Sequence, residues 1–277
     1  MLRNVLSNKE FNNLSLTREG WMLFNKNDVL VGRSLKEYGE YCHGEVELYK
    51  QLLAPEDIVI EVGANTGALT LPISKLIGPK GRVYALEPQR IVFQTLCANM
   101  AINSCTNAFC LEIGASNDNS ILSKFYINYD EKANFGAVAL AALPEGGEKI
   151  KLAKLDNIFE DLDKLKLIKI DVEGMEREVI IGAKILIERL APLIYIENDK
   201  IDKSRLLIET IKSFDYRLYW HRVPYFNKEN YANKSENIFP DQVAINMLCV
   251  PARIQINIEG MDEICNSNFH PIFGEVP

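Results

Sequence analysis

From residue 56 onward the chain alternates between short, unbroken apolar runs and longer stretches whose apolar residues recur every three or four positions. Ile58 to Val62 is the first run, closed by Pro55 and Gly63. β-Branched residues between such breakers predict a buried parallel strand. TGALTLPISKLI (66–77) follows with Leu69, Ile73, Leu76 and Ile77 on one helical face. Pro72 lacks an amide donor, which predicts a kink or a delayed start. GRVYALEP (81–88) is then a strand, QRIVFQTLCANMAIN (89–103) a helix presenting Phe93, Leu96, Cys97 and Met100, and AFCLEIGAS (108–116) a third strand. Residues 120–156 break the rhythm: KFYINYD (124–130) and FGAVAL (135–140) read as extended pieces, and Pro144, Gly146 and Gly147 as a loop. KLIKIDVEG (166–174) restores it as a fourth strand, with a helix running to about Arg189. PLIYIEND (192–199) is a fifth strand and SRLLIETIKSF (204–214) a helix with Leu207, Ile211 and Phe214 in phase. DYRLYWHR (215–222) and DQVAINMLCV (241–250) are the last two strands, around the Asn-rich loop 224–240.

This alternation predicts an α/β fold: a doubly wound, mostly parallel, seven-stranded sheet with helices on both faces. No long helix separates the last two strands, so an antiparallel edge strand is expected. Ahead of the sheet lies a polar lead-in, with a hairpin in WMLFNKNDVLVG (21–32) and a helical stretch in SLKEYGEYCHGEVELYKQLL (34–53).

Composition narrows the function without naming it. The 277 residues are 47% hydrophobic and 25% charged, enough for one large core without a metal or disulfide staple. A net charge of −7 with no dense Lys/Arg tract argues against nucleic acid as the main partner. Six cysteines without a Cys-x-x-Cys pair, and three histidines, offer no zinc spacing, so buried free thiols in a reducing cytoplasm are expected. The N-terminus has no secretory signal. Val179 to Ile196, the greasiest stretch, is interrupted by Lys184, Glu188 and Arg189 and is no bilayer span.

In an open α/β sheet, ligands bind beyond the carboxyl ends of the strands. Four of the first five predicted strands close on carboxylates there: Glu61, Glu87, Asp171 and Glu197. Gly63 and Gly67 permit a tight strand-to-helix turn and close approach of a ligand to the backbone. Glu87 stands twenty positions beyond Gly67, where an acidic residue accepts ribose hydroxyls. A nicotinamide cofactor would call for G-x-G-x-x-G, but this loop reads GANTG, with Asn65 in place of the central glycine, and Glu61 would repel a pyrophosphate. A cationic, phosphate-free nucleoside, S-adenosylmethionine, fits better. Glu61 then faces its methionine end, Gly63, Asn65 and Gly67 form the turn, Glu87 holds the ribose, and Gly114, Ala115 and Ser116 rim the adenine.

VIEVGANTGALT (59–70), GRVYALEPQ (81–89), KLAKLDNI (151–158) and above all IKIDVEGMEREVIIGA (168–183) resemble the FkbM family of methyltransferases. GRSLKEYGEY (32–41) and ENIFPDQVAINMLCV (236–250) extend the resemblance over roughly residues 30–250. The family often has Asp where this chain has Glu61, a change that keeps the charge. The resemblance implies methylation of a hydroxyl, commonly on a sugar, glycolipid or polyketide. It divides the chain into a lead-in (1–50) packed on the core, a cofactor-binding methyltransferase domain (51–250) and a C-terminal tail (251–277).

Methyl transfer to a hydroxyl requires alignment and a base. Asp171 and Glu173, just past the fourth strand, are the first candidates; so close a pair pushes one pKa upward. Asp171 is also a possible cofactor contact, and the bland alternative is that it caps the next helix, with Glu173 and Glu176 favouring the positive end. His221 is a second base candidate, or else a packed residue beside Trp220. Asp171, Glu197 and Asn198 form a hard oxygen set suited to magnesium, but no dedicated spacing supports it and no metal is assigned. Tyr38, Glu40 and Tyr41 either close over the cofactor or simply pack, and loop 224–240, rich in Asn, Tyr and Phe, is either an acceptor lid or an ordinary loop. The competing classes are an NAD-dependent oxidoreductase and a non-catalytic nucleoside-binding module. The acceptor and the oligomeric state are not legible.

Overall fold

The computed structural model describes residues 10–123, 127–136, 148–256 and 258–275. Most of KFYINYD is covered, but its first three residues, the last four of FGAVAL and the Pro144–Gly147 loop lie outside the described residues. The chain opens with a hairpin of β1 (Asn12–Leu16) and β2 (Trp21–Asn25), turning at Thr17–Gly20. The lead-in hairpin is thus built one strand earlier than its apolar pattern indicates. NNLSL buries alternate residues against WMLFN, whereas Val31 and Gly32 already belong to α1 (Val31–Glu37). A left-handed Cys42 (φ 43°) separates α1 from α2 (His43–Leu52).

The alternating body follows as β3 (Ile58–Val62), α3 (Thr70–Ile77), β4 (Arg82–Leu86), α4 (Arg90–Ile102) and β5 (Ala108–Leu111). Pro72 falls in the first turn of α3, where amides lack an intrahelical acceptor, so the helix starts late and does not kink. The buried face of α4 is Val92, Leu96, Asn99 and Met100, rotated from the expected one and leaving Phe93 and Cys97 half-buried. The expected third strand divides. Ala108–Leu111 stays in the main sheet, but β6 (Gly114–Ala115) joins β7 (Ser120–Ser123) and β8 (Lys149–Ala153) in a separate small sheet.

After α5 (Leu155–Ile158) come β9 (Leu167–Ile170), α6 (Glu176–Gly182), α7 (Lys184–Leu190), β10 (Leu193–Glu197), α8 (Ile201–Lys212), β11 (Tyr216–Pro224), β12 (Val243–Pro251) and β13 (Asp262–Glu263). The single helix expected after the fourth strand is therefore broken, at Ala183.

The main sheet has eight strands in the order β13-β11-β12-β10-β9-β3-β4-β5, seven full strands plus the two-residue β13. β5, β4, β3, β9 and β10 are parallel. β12 runs antiparallel between β10 and β11, two places in from the edge, where β13 lies antiparallel to β11. β3, β9 and β10 are buried on both faces, apart from the partly exposed tip at Glu197, as their mostly apolar runs require; Glu61 in β3 and Lys169 in β9 are the charged residues buried with them. The chain leaves β3 toward β4 and returns on its other side through β9. This reversal opens a crevice at the carboxyl ends of those two strands.

All six cysteines are free, but only Cys42 and Cys249 are buried, and Cys265 is exposed. Among the described residues, no helix is long and apolar enough to cross a membrane.

Candidate active site

The crevice holds empty space of about 1000 Å3, part of it open to solvent. One end is lined by Glu61, Gly63, Asn65, Glu87, Gln89, Gly114 and Ala115, and the other by Asp171, Glu173, Glu197, Tyr41 and Tyr225.

At the first end the turn after β3 is held by backbone geometry. Gly63 (φ +80°) and Gly67 (φ +84°) adopt left-handed conformations, and Asn65 does so without being glycine (φ 50°). Glu87, 5% exposed, braces this turn: Oε2 accepts from the Asn65 amide (3.0 Å) and Oε1 from the Gln89 amide (2.8 Å). Glu61 is fully buried. Thr70 Oγ1 donates to its Oε2 at 2.5 Å, while Oε1 has no hydrogen-bond donor. Burial pushes the Glu61 carboxyl above its ordinary range; Lys169 and the Thr70 hydroxyl pull it down, and Asp171 pushes it up. Gln89 Oε1 is likewise buried without a donor, its amide nitrogen being taken by the Phe135 carbonyl.

The β6 turn brings Gly114 and Ala115 to the crevice, but Ser116 turns toward Asn117 and is not among the lining residues. Gly67 lies behind the wall, where a side chain would meet Leu96 at 2.7 Å.

At the second end Asp171 continues β9 and is 33% exposed at the side chain. It does not cap α6: the residue before that helix is Met175, and no side chain caps it. Instead Lys169 Nζ donates to Asp171 Oδ2 at 3.2 Å. Glu176 braces the intervening loop, its Oε1 accepting from the Val172 and Gly174 amides at 3.2 and 2.9 Å. This holds Glu173 in a left-handed conformation (φ 57°), with its carboxylate 3.2 Å from Lys200 Nζ. Non-glycine residues in that region cluster where geometry is dictated by function. Burial, followed by the Asp171 charge, pushes the Glu173 carboxyl up to about 7 against the pull of Lys200.

Asp171, Glu173 and Glu197 each offer an oxygen within 4.8 Å of the others. Asn198 is not among them: its side-chain amide nitrogen donates to Met247 Sδ (3.2 Å), and its backbone carbonyl meets His270 Nε2. His221 also stands apart from the crevice lining. Its Nδ1 lies 2.9 Å from the Tyr195 hydroxyl, and burial lowers its pKa to about 4, which keeps the ring neutral.

Tyr41 and Tyr225 stack at 5.9 Å and 24° above the carboxylates. Loop 224–240 is pinned to the lead-in: Glu40 pairs with Arg18 and accepts from Asn227 and the Tyr231 amide, and Tyr38 Oη accepts from the Ile238 amide. Lys169, Gln89 and Glu45 were missed by the sequence reading. Lys169 sits inside an apolar strand two positions before Asp171, which was itself a signal, since a strand buried on both faces admits a lysine only with partners.

The family model described as the Methyltransferase FkbM domain matches residues 61–218. No curated protein matches the chain. Among solved structures, it is similar to a methyltransferase FkbM from Methylobacillus flagellatus (17% identity, TM-score 0.45, covering 74% of this chain and 50% of that one). It is also similar to a precorrin-6y C5,15-methyltransferase from Geobacter metallireducens (16%, TM-score 0.45, 74% and 85%). A third is Aeropyrum pernix fibrillarin in complex with S-adenosylmethionine (14%, TM-score 0.44, 90% and 100%).

Proposed function

The chain belongs to the FkbM methyltransferase family and is an S-adenosylmethionine-dependent methyltransferase; we propose that its acceptor is a hydroxyl on a sugar, polysaccharide or related metabolite. The observation that carries this reading is the Asp171–Glu173 pair in the crevice lining, with Glu173 pushed up to about 7. A hydroxyl must lose its proton to become a useful nucleophile, and a base that titrates near neutrality is suited to take it.

The cofactor end fits a cationic nucleoside. Glu61 Oε1, buried and lacking a donor, suits an ammonium group. Glu87, in the crevice lining just past β4, is placed to accept ribose hydroxyls. Gly63 and Asn65 present backbone, and Gln89, Gly114 and Ala115 face the base. S-adenosylmethionine bound there supplies an activated methyl group, transferred in line to an aligned nucleophile. The protein's part is to orient and to exclude water. Asp171, fixed through Oδ2 by Lys169, accepts from the acceptor through Oδ1, Glu173 takes the proton, and the Tyr41–Tyr225 stack covers the acceptor.

The test is product analysis with a methyl-labelled cofactor and a panel of neutral glycosides, with and without EDTA. Label on oxygen, undiminished by EDTA, is expected. Label on nitrogen or carbon would end the hydroxyl reading. Loss in EDTA restored by Mg2+ would make Asp171 a ligand and not part of a base pair.

A further inference from the structure

Among the described residues, Lys169 is the single lysine or arginine in the buried interior. It lies on β9 directly opposite Glu61 of β3, with Tyr195 of β10 on its other side. Its Nζ is 3.2 Å from Asp171 Oδ2 and 3.9 Å from Glu61 Oε1. Glu45, reaching in from α2, also acts on it electrostatically. Burial disfavours the charged lysine, but Asp171, Glu61 and Glu45 outweigh that and hold it protonated. One ammonium therefore serves three carboxylates.

Glu61 depends on it most. The carboxylate is fully buried, Thr70 satisfies only one oxygen, and among the described residues Lys169 is the one cation in an ion pair with it. A buried carboxylate deprived of its counter-charge takes up a proton.

We propose that Lys169 is a positioning residue for the cofactor: it holds Glu61 charged, so that the cofactor's ammonium meets a carboxylate and not a neutral acid, while its second contact holds Asp171. This rests on the reading of Glu61 as the anchor of the methionine end. The lysine need not touch the cofactor. It sets the charge of the group that does, and so ties the two ends of the crevice to one buried cation.

Two probes separate this from plain structural support. S-adenosylhomocysteine carries the amino-acid end, and 5′-methylthioadenosine is the same nucleoside without it. Calorimetric titration of Lys169→Met should weaken S-adenosylhomocysteine by about tenfold or more and 5′-methylthioadenosine by less than about twofold. Lys169→Arg, which keeps the charge, should recover most of the loss. Should Lys169→Met fail to fold, Lys169→Gln is read the same way, with 5′-methylthioadenosine binding as proof of an intact nucleoside site. Equal weakening of both probes, or no weakening of either, overturns the proposal. Glu61→Gln tests its premise. If that variant binds S-adenosylhomocysteine normally, the anchor reading itself fails. If it loses the preference while the Lys169 variants keep it, only the role of Lys169 falls.

Discussion

A β-carbon at Gly63 would stand 1.8 Å from the carbonyl oxygen of Asp171. The turn after β3 and the segment after β9 are thus in backbone contact beneath the crevice, joining the cofactor end to the acceptor end. Gly63→Ala must either push these strands apart or leave the left-handed conformation. Left-handed strain and overpacking together should cost about 3 kcal/mol or more. Thermal unfolding should fall by roughly 6 °C or more, and S-adenosylhomocysteine binding should be lost.

Glu87 and Asp171 should separate binding from turnover. Glu87→Ala removes a ribose acceptor and leaves the Asn65 and Gln89 amides without their partner. Cofactor affinity should drop by roughly 1.5–3 kcal/mol, about ten- to a hundredfold. Asp171→Asn should bind S-adenosylhomocysteine nearly as before and lower turnover by about 100-fold. Titration calorimetry and initial rates check this, and equal loss of binding in both variants would contradict it.

Asn99 on α4 is fully buried and accepts from the Leu23 amide while donating to the Leu23 and Thr66 carbonyls. Asn99→Ala strands three backbone groups. Denaturant unfolding should show a loss of about 2–3 kcal/mol, with weaker cofactor binding because Thr66 belongs to the turn after β3.

Burial raises the Glu45 carboxyl to about 7, Lys169 pulling the other way. Between its ordinary pKa and that value the folded chain keeps a proton that the unfolded chain has released. Stability from this group is therefore full below about 4.5 and is lost as pH rises through about 7. Glu45→Gln should narrow the difference in unfolding free energy between pH 5 and pH 8 by on the order of 2 kcal/mol. An unchanged difference would show that Glu45 ionises normally in the fold.

The strands were legible because a parallel sheet covered on both faces demands mostly apolar runs; Leu193–Ile196 is wholly apolar and Ile58–Val62 is interrupted only by Glu61. The carboxylates at strand ends were legible because a polar residue there has only the crevice to face. What was missed depended on pairing across long separations. Nothing local distinguishes Asn99 from an exposed helical asparagine until Leu23 is seen beside it. Glu45 reads as an ordinary lead-in acid until Asn246 and Tyr49 enclose it. His221 looked available because its partner Tyr195 lies 26 positions away on another strand.

Asn99 on α4 and Asn103, the residue that ends that helix, stand one turn apart and bond both the amides and the carbonyls of Leu23 and Trp21. Two side-chain amides thereby mimic a neighbouring strand along the free margin of β2. An open margin of that kind is a template on which chains add to one another. The helix closes it, so a hairpin at the start of the chain is shielded from recruiting its own copies.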